Sequence, residues 1–265
     1  MPSVPFVDIH CHLIPGIDDG AKSWQESLAM AEMAVADGTR TIILTPHQLG
    51  AFSHNDGDTV RARTNELQQQ LQDHRVPLQV LPGGDVRIEE GMLAGLRNGQ
   101  VMSLADHGKH VLLELPHELY FSMEGVLDGL NSAKMVGILS HPERNQGLLK
   151  NPQTVKHLVE YGCLMQITAG SLMRTFGPNC EQLAVWMLEE GLVHFVASDA
   201  HGARARRPLL GRAFQRVAEL VGDEVATAIC CTNPAAVAAG QPIETTRYKP
   251  KRRGLASWFK WRKAG

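Results

Sequence analysis

The sequence holds no Cys-x-x-Cys pair, and its five cysteines (Cys11, Cys163, Cys180, Cys230, Cys231) are odd in number. That points away from a disulfide framework and from a thiolate zinc site. No arginine stands six positions after any of them, so the Cys-x5-Arg loop of a cysteine-nucleophile phosphatase is missing too. No run of about 18 apolar residues occurs, which leaves no expected membrane span. The start, MPSVPFVDIH, has no basic stretch leading into an apolar one, so no signal peptide is expected. Low-complexity linkers and short-period repeats are absent before residue 241. What is there, 43% hydrophobic and 20% charged residues over 265 positions, excludes disorder, coiled coil and collagen and can bury a sizeable core. A reduced, cytoplasmic enzyme is the expectation.

Acidic residues are missing from one region only. Residues 247–265 contain eight Lys/Arg (Arg247, Lys249, Lys251, Arg252, Arg253, Lys260, Arg262, Lys263) and no Asp or Glu, whereas residues 1–246 hold 18 Lys/Arg against 28 Asp/Glu. The formal net charge of −2 is therefore a cancellation between an acidic body and a basic tail. The acidic body argues against a nucleic-acid-binding surface. Two readings stay open for the tail. It is either a solvated segment or a tether to anionic lipid or to an acidic partner, with Leu255, Trp258 and Phe259 sharing one side if it is helical.

Short apolar runs at about 5–10, 40–45, 76–84, 110–115, 135–140, 162–168 and 193–198 read as strands, most of them buried on both faces. Amphipathic stretches lie between them. The best marked starts at Ser23 and Glu26, which fit a capping box, and ends at Gly38. Others cover about 58–73, 122–134, 152–161, 178–190 and 208–221. This alternation predicts an α/β fold with a parallel sheet, a (β/α)7 barrel of the TIM type, as one domain over 1–246 with the tail 247–265 appended.

Chemistry collects where the apolar runs end. The first ends in Asp8-Ile-His10-Cys-His12, the second in Thr45-Pro46-His47, the third in Gly83-Gly84-Asp85. The fourth carries Glu114, the fifth ends in His141-Pro-Glu-Arg144 and the seventh in Ser198-Asp199-Ala-His201; only the sixth, Gln166-Ile-Thr168, lacks a strong ligand. In a parallel barrel these ends surround one mouth, where active sites sit. His10 and His12 share one side of their strand, as do Asp199 and His201. Imidazole and carboxylate without thiolate suit Mn, Fe or Zn in a hydrolytic centre, and eight such ligands exceed the needs of one ion. Two or three divalent metal ions are expected. His54, His74, His107, His110, His117, His157 and His194 are read as solvated or packing residues.

The segments Asp8-Ile-His-Cys-His12, Pro15-Gly-Ile-Asp-Asp-Gly20, Thr45-Pro-His47, Ser140-His-Pro-Glu-Arg-Asn145 and Ser198-Asp-Ala-His201 resemble, in order and over about residues 5–240, the polymerase-and-histidinol-phosphatase (PHP) superfamily. Within it they most resemble the manganese-dependent protein-tyrosine phosphatases of the bacterial capsule and exopolysaccharide system. The resemblance implies a distorted seven-stranded β/α barrel with a trinuclear metal site. It implies a phosphotyrosine substrate on a bacterial tyrosine kinase that controls polysaccharide synthesis. It assigns one ion to His10, His12 and Asp199 with Asp85 bridging, a second to Asp85, Glu114 and His141, and a third to Asp19, His47 and His201. Arg144 and Arg207 match its two phosphate-binding arginines, Arg207 being preferred over Arg204 and Arg206 because Pro208 follows it. The sequence departs from the pattern at Asp85, where glutamate is usual, and at Gln48, where a second histidine often stands.

The implied reaction is in-line attack of a metal-bound hydroxide on phosphorus, with arginines on the phosphate oxygens and a phenolate leaving. Two alternatives are a small-molecule phosphoesterase of the histidinol-phosphate type and a non-catalytic regulator that binds a kinase tail. The stretches 48–58 and 116–123 are expected to rim the mouth.

Overall fold

The computed structural model describes residue 2 and residues 4–243. The basic segment 247–265, with its lipid or acidic-partner reading, lies outside the described residues. Among those described there are nine strands: β1 (Phe6–Cys11), β2 (Thr39–Leu44), β3 (His47–Gln48), β4 (Gln79–Pro82), β5 (Asp85–Arg87), β6 (His110–Glu114), β7 (Val136–Ser140), β8 (Leu164–Thr168) and β9 (Phe195–Ala197). Every pairing between them is parallel. They form two sheets, in the orders β1-β2-β4 and β3-β5-β6-β7-β8-β9.

All seven expected strands are present, and two of them are continued by short pieces that periodicity could not show. The chain steps from β2 to β3 across Thr45-Pro46, where proline has no N–H for a ladder. It steps from β4 to β5 across Gly83-Gly84. A Cβ on Gly83 would lie 2.7 Å from Ile43 Cγ2, and one on Gly84 2.3 Å from Gln48 Oε1, so both crossings depend on the missing side chain. Each step transfers the chain from the first sheet to the second. The ends of β1 and β9 are joined by backbone bonds: Asp199 N–H donates to His10 O (2.8 Å) and His12 N–H to Ala200 O (2.9 Å).

The helix Trp24–Ala36 starts as its sequence predicts, with Ser23 Oγ accepting from Glu26 N–H at 3.2 Å. The Glu26 carboxylate turns back one residue further than a capping box requires and accepts from Lys22 N–H. The helices expected near 58–73, 122–134, 152–161, 178–190 and 208–221 are found at Gly57–Asp73, Glu124–Ser132, Gln153–Glu160, Pro178–Glu189 and Gly211–Val221. Shorter helices, among them Met92–Asn98 and Ala169–Leu172, were not legible in the sequence.

The strands read as continuous apolar runs because both faces are covered. Helices cover the outer face, and Val7, Ile9, Ile43, Leu112, Ile138, Leu164 and Phe195 pack together on the inner one. Burying each such side chain contributes about 1.5–3 kcal/mol. Leu104, Ala105 and Val237 close this inner cluster at the strand starts, and Ile243 packs against it. The polar residues gather at the opposite, C-terminal ends.

Candidate metal centre

The end of β1 is irregular. Its pairing register with β2 shifts between Asp8 and Cys11. Asp8 Oδ1 accepts from Ser198 N–H at 3.0 Å and from His10 N–H at 3.3 Å, which fastens the strand to the end of β9. Asp8 thus holds backbone, not substrate or metal, and burial pushes its carboxyl up to about 6. Beyond it His10 and His12 are fully buried and turn toward the mouth, while Cys11 enters the apolar cluster behind the sheet.

The remaining ligand candidates arrive from the other strand ends. His47 opens β3, and Asp85 lies opposite it in register on β5. Glu114 ends β6; His141 and Asp199 follow β7 and β9, both in the left-handed backbone region (φ 34° and 49°). Such conformations cost about 1–3 kcal/mol and persist where surrounding structure fixes them. Asp19, from the loop after β1, brings its carboxylate 3.4 Å from His47 Nε2 and 3.3 Å from His201 Nε2.

All nine residues named from the sequence as metal ligands meet in four overlapping groups, the ligand atoms of each lying within 4.8 Å of one another. These are His12, Asp19, His47 and His201; His10, His12 and Asp85; His10, His141 and Asp199; and His47, Asp85 and Glu114. The atoms of the three implied sets lie among these groups: His10 Nε2 stands 3.3 Å from Asp199 and 3.5 Å from Asp85, and His12 Nε2 3.6 Å from Asp199. His141 stands with His10 and Asp199 and also faces Glu114 at 3.9 Å, and His47 joins Asp85 and Glu114. His47 belongs to two groups because its two ring nitrogens face opposite ways, Nε2 to Asp19 and Nδ1 to Asp85 and Glu114 at 3.4 Å.

Two features require positive charge among these atoms. Asp85 is fully buried; neither carboxylate oxygen has a hydrogen bond among the described residues, and Oδ2 faces His47 Nδ1 at 3.4 Å and His10 Nε2 at 3.5 Å. An ionised carboxylate so placed costs several kcal/mol, roughly, unless a cation meets it. The second feature is a pair of imidazoles. His10 Nδ1–H donates to Gln166 Oε1 (2.8 Å) and His12 Nδ1–H to Asp18 Oδ2 (2.7 Å). Their Nε2 atoms then face each other at 3.2 Å with lone pairs inward, an arrangement that a proton or a metal ion between them must relieve. The electrostatics agree. Burial alone would lower His10, yet Asp199 and Asp85 outweigh it and raise the imidazole to about 9. Burial dominates at His12, pushing it down to about 4 against the pull of Asp18. Divalent cations fit this donor set.

Two residues that sequence reading missed hold the ligands in place. Asp18 accepts from His12 Nδ1–H, from the backbone N–H of His47 (3.1 Å) and, through Oδ1, from Gly20 N–H (2.9 Å). Gln166, in the middle of β8, the one strand that seemed to carry nothing, sets the tautomer of His10. Gln48, at the position where the resemblance has a second histidine, points away from the site. Its amide donates to Asn55 O (2.6 Å) and accepts from Met102 N–H (2.8 Å), tying down the loop that follows.

Arg144 reaches the mouth from the turn after β7, and its guanidinium donates to Asp199 Oδ2. The second arginine there is Arg206, not Arg207. Arg206 Nη2 pairs with the same Asp199 oxygen. The backbone of Arg206 lies at φ 50°, which turns this side chain inward and leaves Arg207 exposed. His117, read from sequence as a bystander, stands at the rim with Nε2 3.4 Å from Arg144. Across the mouth Phe52 stacks on His47, ring centroids 5.3 Å apart, so both expected rim stretches do border the site. All five cysteines are buried away from it; burial pushes Cys163 up to about 12 and Cys231 to about 11, leaving no thiolate for nucleophilic chemistry.

Comparison with known proteins places this geometry. Residues 6–239 match the family described as capsular polysaccharide synthesis, CpsB/CapC. The tyrosine-protein phosphatase YwqE of Bacillus subtilis is 39% identical over 201 residues, 76% of this chain and 79% of that protein. The tyrosine-protein phosphatase CpsB of Streptococcus agalactiae is 29% identical over 235 residues, 86% of this chain and 96% of that one. A solved structure from work on YwqE of B. subtilis and CpsB of Streptococcus pneumoniae, described as unique metal-dependent tyrosine phosphatases, superposes with a TM-score of 0.86 at 34% identity and covers 93% of this chain and 100% of its own. The phosphotriesterase homology protein of Escherichia coli shares the fold alone (TM-score 0.57, 10% identity, 89% of this chain and 99% of that one).

Proposed function

Since the chain belongs to the CpsB/CapC family of capsular polysaccharide synthesis, we propose that its mouth removes phosphate from tyrosines of a bacterial tyrosine kinase governing capsule or exopolysaccharide assembly. The chain is a metal-dependent protein-tyrosine phosphatase. The observation that carries the finer reading is the buried carboxylate of Asp85, without a hydrogen bond among the described residues and facing His10 and His47, amid five imidazoles and three further carboxylates. The two sheets are read as halves of one distorted seven-unit barrel, a single catalytic domain over 1–246.

His10, His12, Asp19, His47, Asp85, Glu114, His141, Asp199 and His201 would hold two or three divalent ions, Mn in preference to Fe or Zn. Bound there, such ions supply Lewis acidity and make a water-derived nucleophile available at neutral pH. The protein's own groups do the rest. Gln166 and Asp18 hold the proton of His10 and His12 on Nδ1 and so aim Nε2 of each ring at the mouth. Arg144 and Arg206 exchange Asp199 for the phosphate oxygens, which two forked guanidiniums bind better than ammonium groups would. A phenolate, of free pKa about 10, leaves with little help from an acid. The tail 247–265 would bring this mouth to a kinase at the inner membrane face by attraction to anionic lipid. Among the described residues no helix is long and apolar enough to cross a membrane.

Chelation tests the reading. Incubation with excess EDTA should abolish phosphotyrosine-peptide hydrolysis, added Mn should restore it, and thiol alkylation should leave it unchanged. Full activity after the ions are stripped would sink the metal chemistry. Faster turnover of histidinol phosphate than of the peptide would favour the small-molecule alternative.

A further inference from the structure

We propose that Phe176 is a positioning residue, an aromatic plate on which the Arg144 and Arg206 guanidiniums are laid so that both face one substrate phosphate. The proposal rests on the reading of those two arginines as the phosphate-binding pair.

Arg144 and Arg206 come from different strand ends, yet their guanidinium carbons lie 4.3 and 5.8 Å from the same Phe176 ring centroid. Both point at one oxygen of Asp199. Two like charges so close repel, and the negative face of an aromatic ring is one of few groups that attracts cations without consuming their N–H donors. Arg206 shows the point directly. Its Nε is buried and has no hydrogen-bond partner among the described residues, so Asp199 alone does not fix the plane of this guanidinium.

Phe176 has no other evident task. It is half-buried and belongs to none of the three apolar clusters that make the core. The segment around it is nevertheless tightly built. Thr175 N–H donates to Gly170 O, and Gly177, at φ +91°, donates to Arg174 O, both at 3.0 Å. A Cβ on Gly170 would stand 3.1 Å from Phe176 Cε2, so the glycine leaves room for the ring. Glu143, next to Arg144 in the chain, joins the two segments. Its buried Oε1 accepts from Thr168 N–H (2.8 Å) and Ser171 Oγ–H (2.7 Å) at the start of the short helix that leads to Phe176. Glu143 thus ties the turn that carries Arg144 to the segment that leads to Phe176.

The test uses the full-length, Mn-loaded chain, with phosphotyrosine-peptide kinetics and competitive inhibition by inorganic phosphate. Phe176→Leu and Phe176→Met should raise KM and the phosphate inhibition constant about tenfold, the size of a partly desolvated cation–π contact, with bound metal unchanged. Their kcat should stay within about threefold of the parent, because the contact acts on binding. Phe176→Tyr, which keeps the ring, should remain within about twofold on both constants. Parent-like phosphate inhibition in the Leu and Met variants would overturn the proposal, as would a Tyr variant as impaired as Leu. Loss of folding in both Leu and Met, read by thermal melting, would assign the ring a structural role and overturn it as well. Arg144→Ala and Arg206→Ala separate the two layers. If neither changes phosphate inhibition, the reading of the arginines fails; if they do and Phe176→Leu does not, only the plate fails.

Discussion

Two neighbouring aspartates, Asp18 and Asp19, do different work, and the difference is one of burial. The Asp18 side chain is 1% exposed and holds His12, whereas that of Asp19 is 55% exposed and offers its oxygen at the mouth. Asp18→Asn should lower metal affinity or turnover by about 10–100-fold, the usual cost of losing a carboxylate behind a ligating histidine. Metal titration followed by elemental analysis checks it; full loading at parent affinity would show that His12 needs no such partner. The arginines offer a second contrast. Arg206→Ala should raise KM for a phosphotyrosine peptide by at least about tenfold through loss of a charge-assisted contact, while Arg207→Ala should behave as the parent. The ligand types were legible because strand ends must carry polar residues where the chain leaves the core, and here they carry imidazole or carboxylate at nearly every end. What could not be read was direction. Sequence does not say which of two adjacent aspartates is buried, nor which of two adjacent arginines an αL residue turns inward.

Interruption of strands is what lets this sheet build a site. β2 and β4 each stop, shift and resume as β3 and β5, and the resumed pieces bring His47 and Asp85 into register. Periodicity finds the long strands because covering both faces demands apolar runs. It misses β3 and β5, which are two and three residues long and built partly from polar ligands. The loop after β3 depends on Gln48, whose amide serves two buried backbone groups. Gln48→Ala would leave Met102 N–H and Asn55 C=O without partners and should cost about 1–3 kcal/mol in urea unfolding of the metal-free chain. Bound metal should not change. A drop in metal content at unaltered stability would instead place Gln48 in the ligand shell.

The molecule as a whole should be acid-sensitive for reasons separate from its metals. Burial pushes His194 and His110 down to about 4, and His194 Nδ1 accepts the Met165 N–H at 3.0 Å, a bond that only the neutral ring can make. Folded values below the unfolded value mean that the unfolded chain binds more protons between about pH 6.5 and 4, so stability falls as pH falls through that window. Urea midpoints of the metal-free chain measured across it should decline, and His194→Asn, which keeps an acceptor but cannot titrate, should flatten the slope. An unchanged slope would show that His194 takes up no proton on unfolding. Added Mn should raise the melting temperature progressively with its concentration, because ligands scattered over the sequence converge only when folded. Last, the described chain ends at Ile243, against the apolar floor formed at the strand starts, on the far side of the molecule from its ligands. A bead or sensor chip coupled at the exposed Gln241, two residues earlier, would therefore grip the enzyme by its back. Immobilised in that way it should process phosphopeptides with the KM it has in solution, whereas coupling through a residue of the 116–123 rim should not.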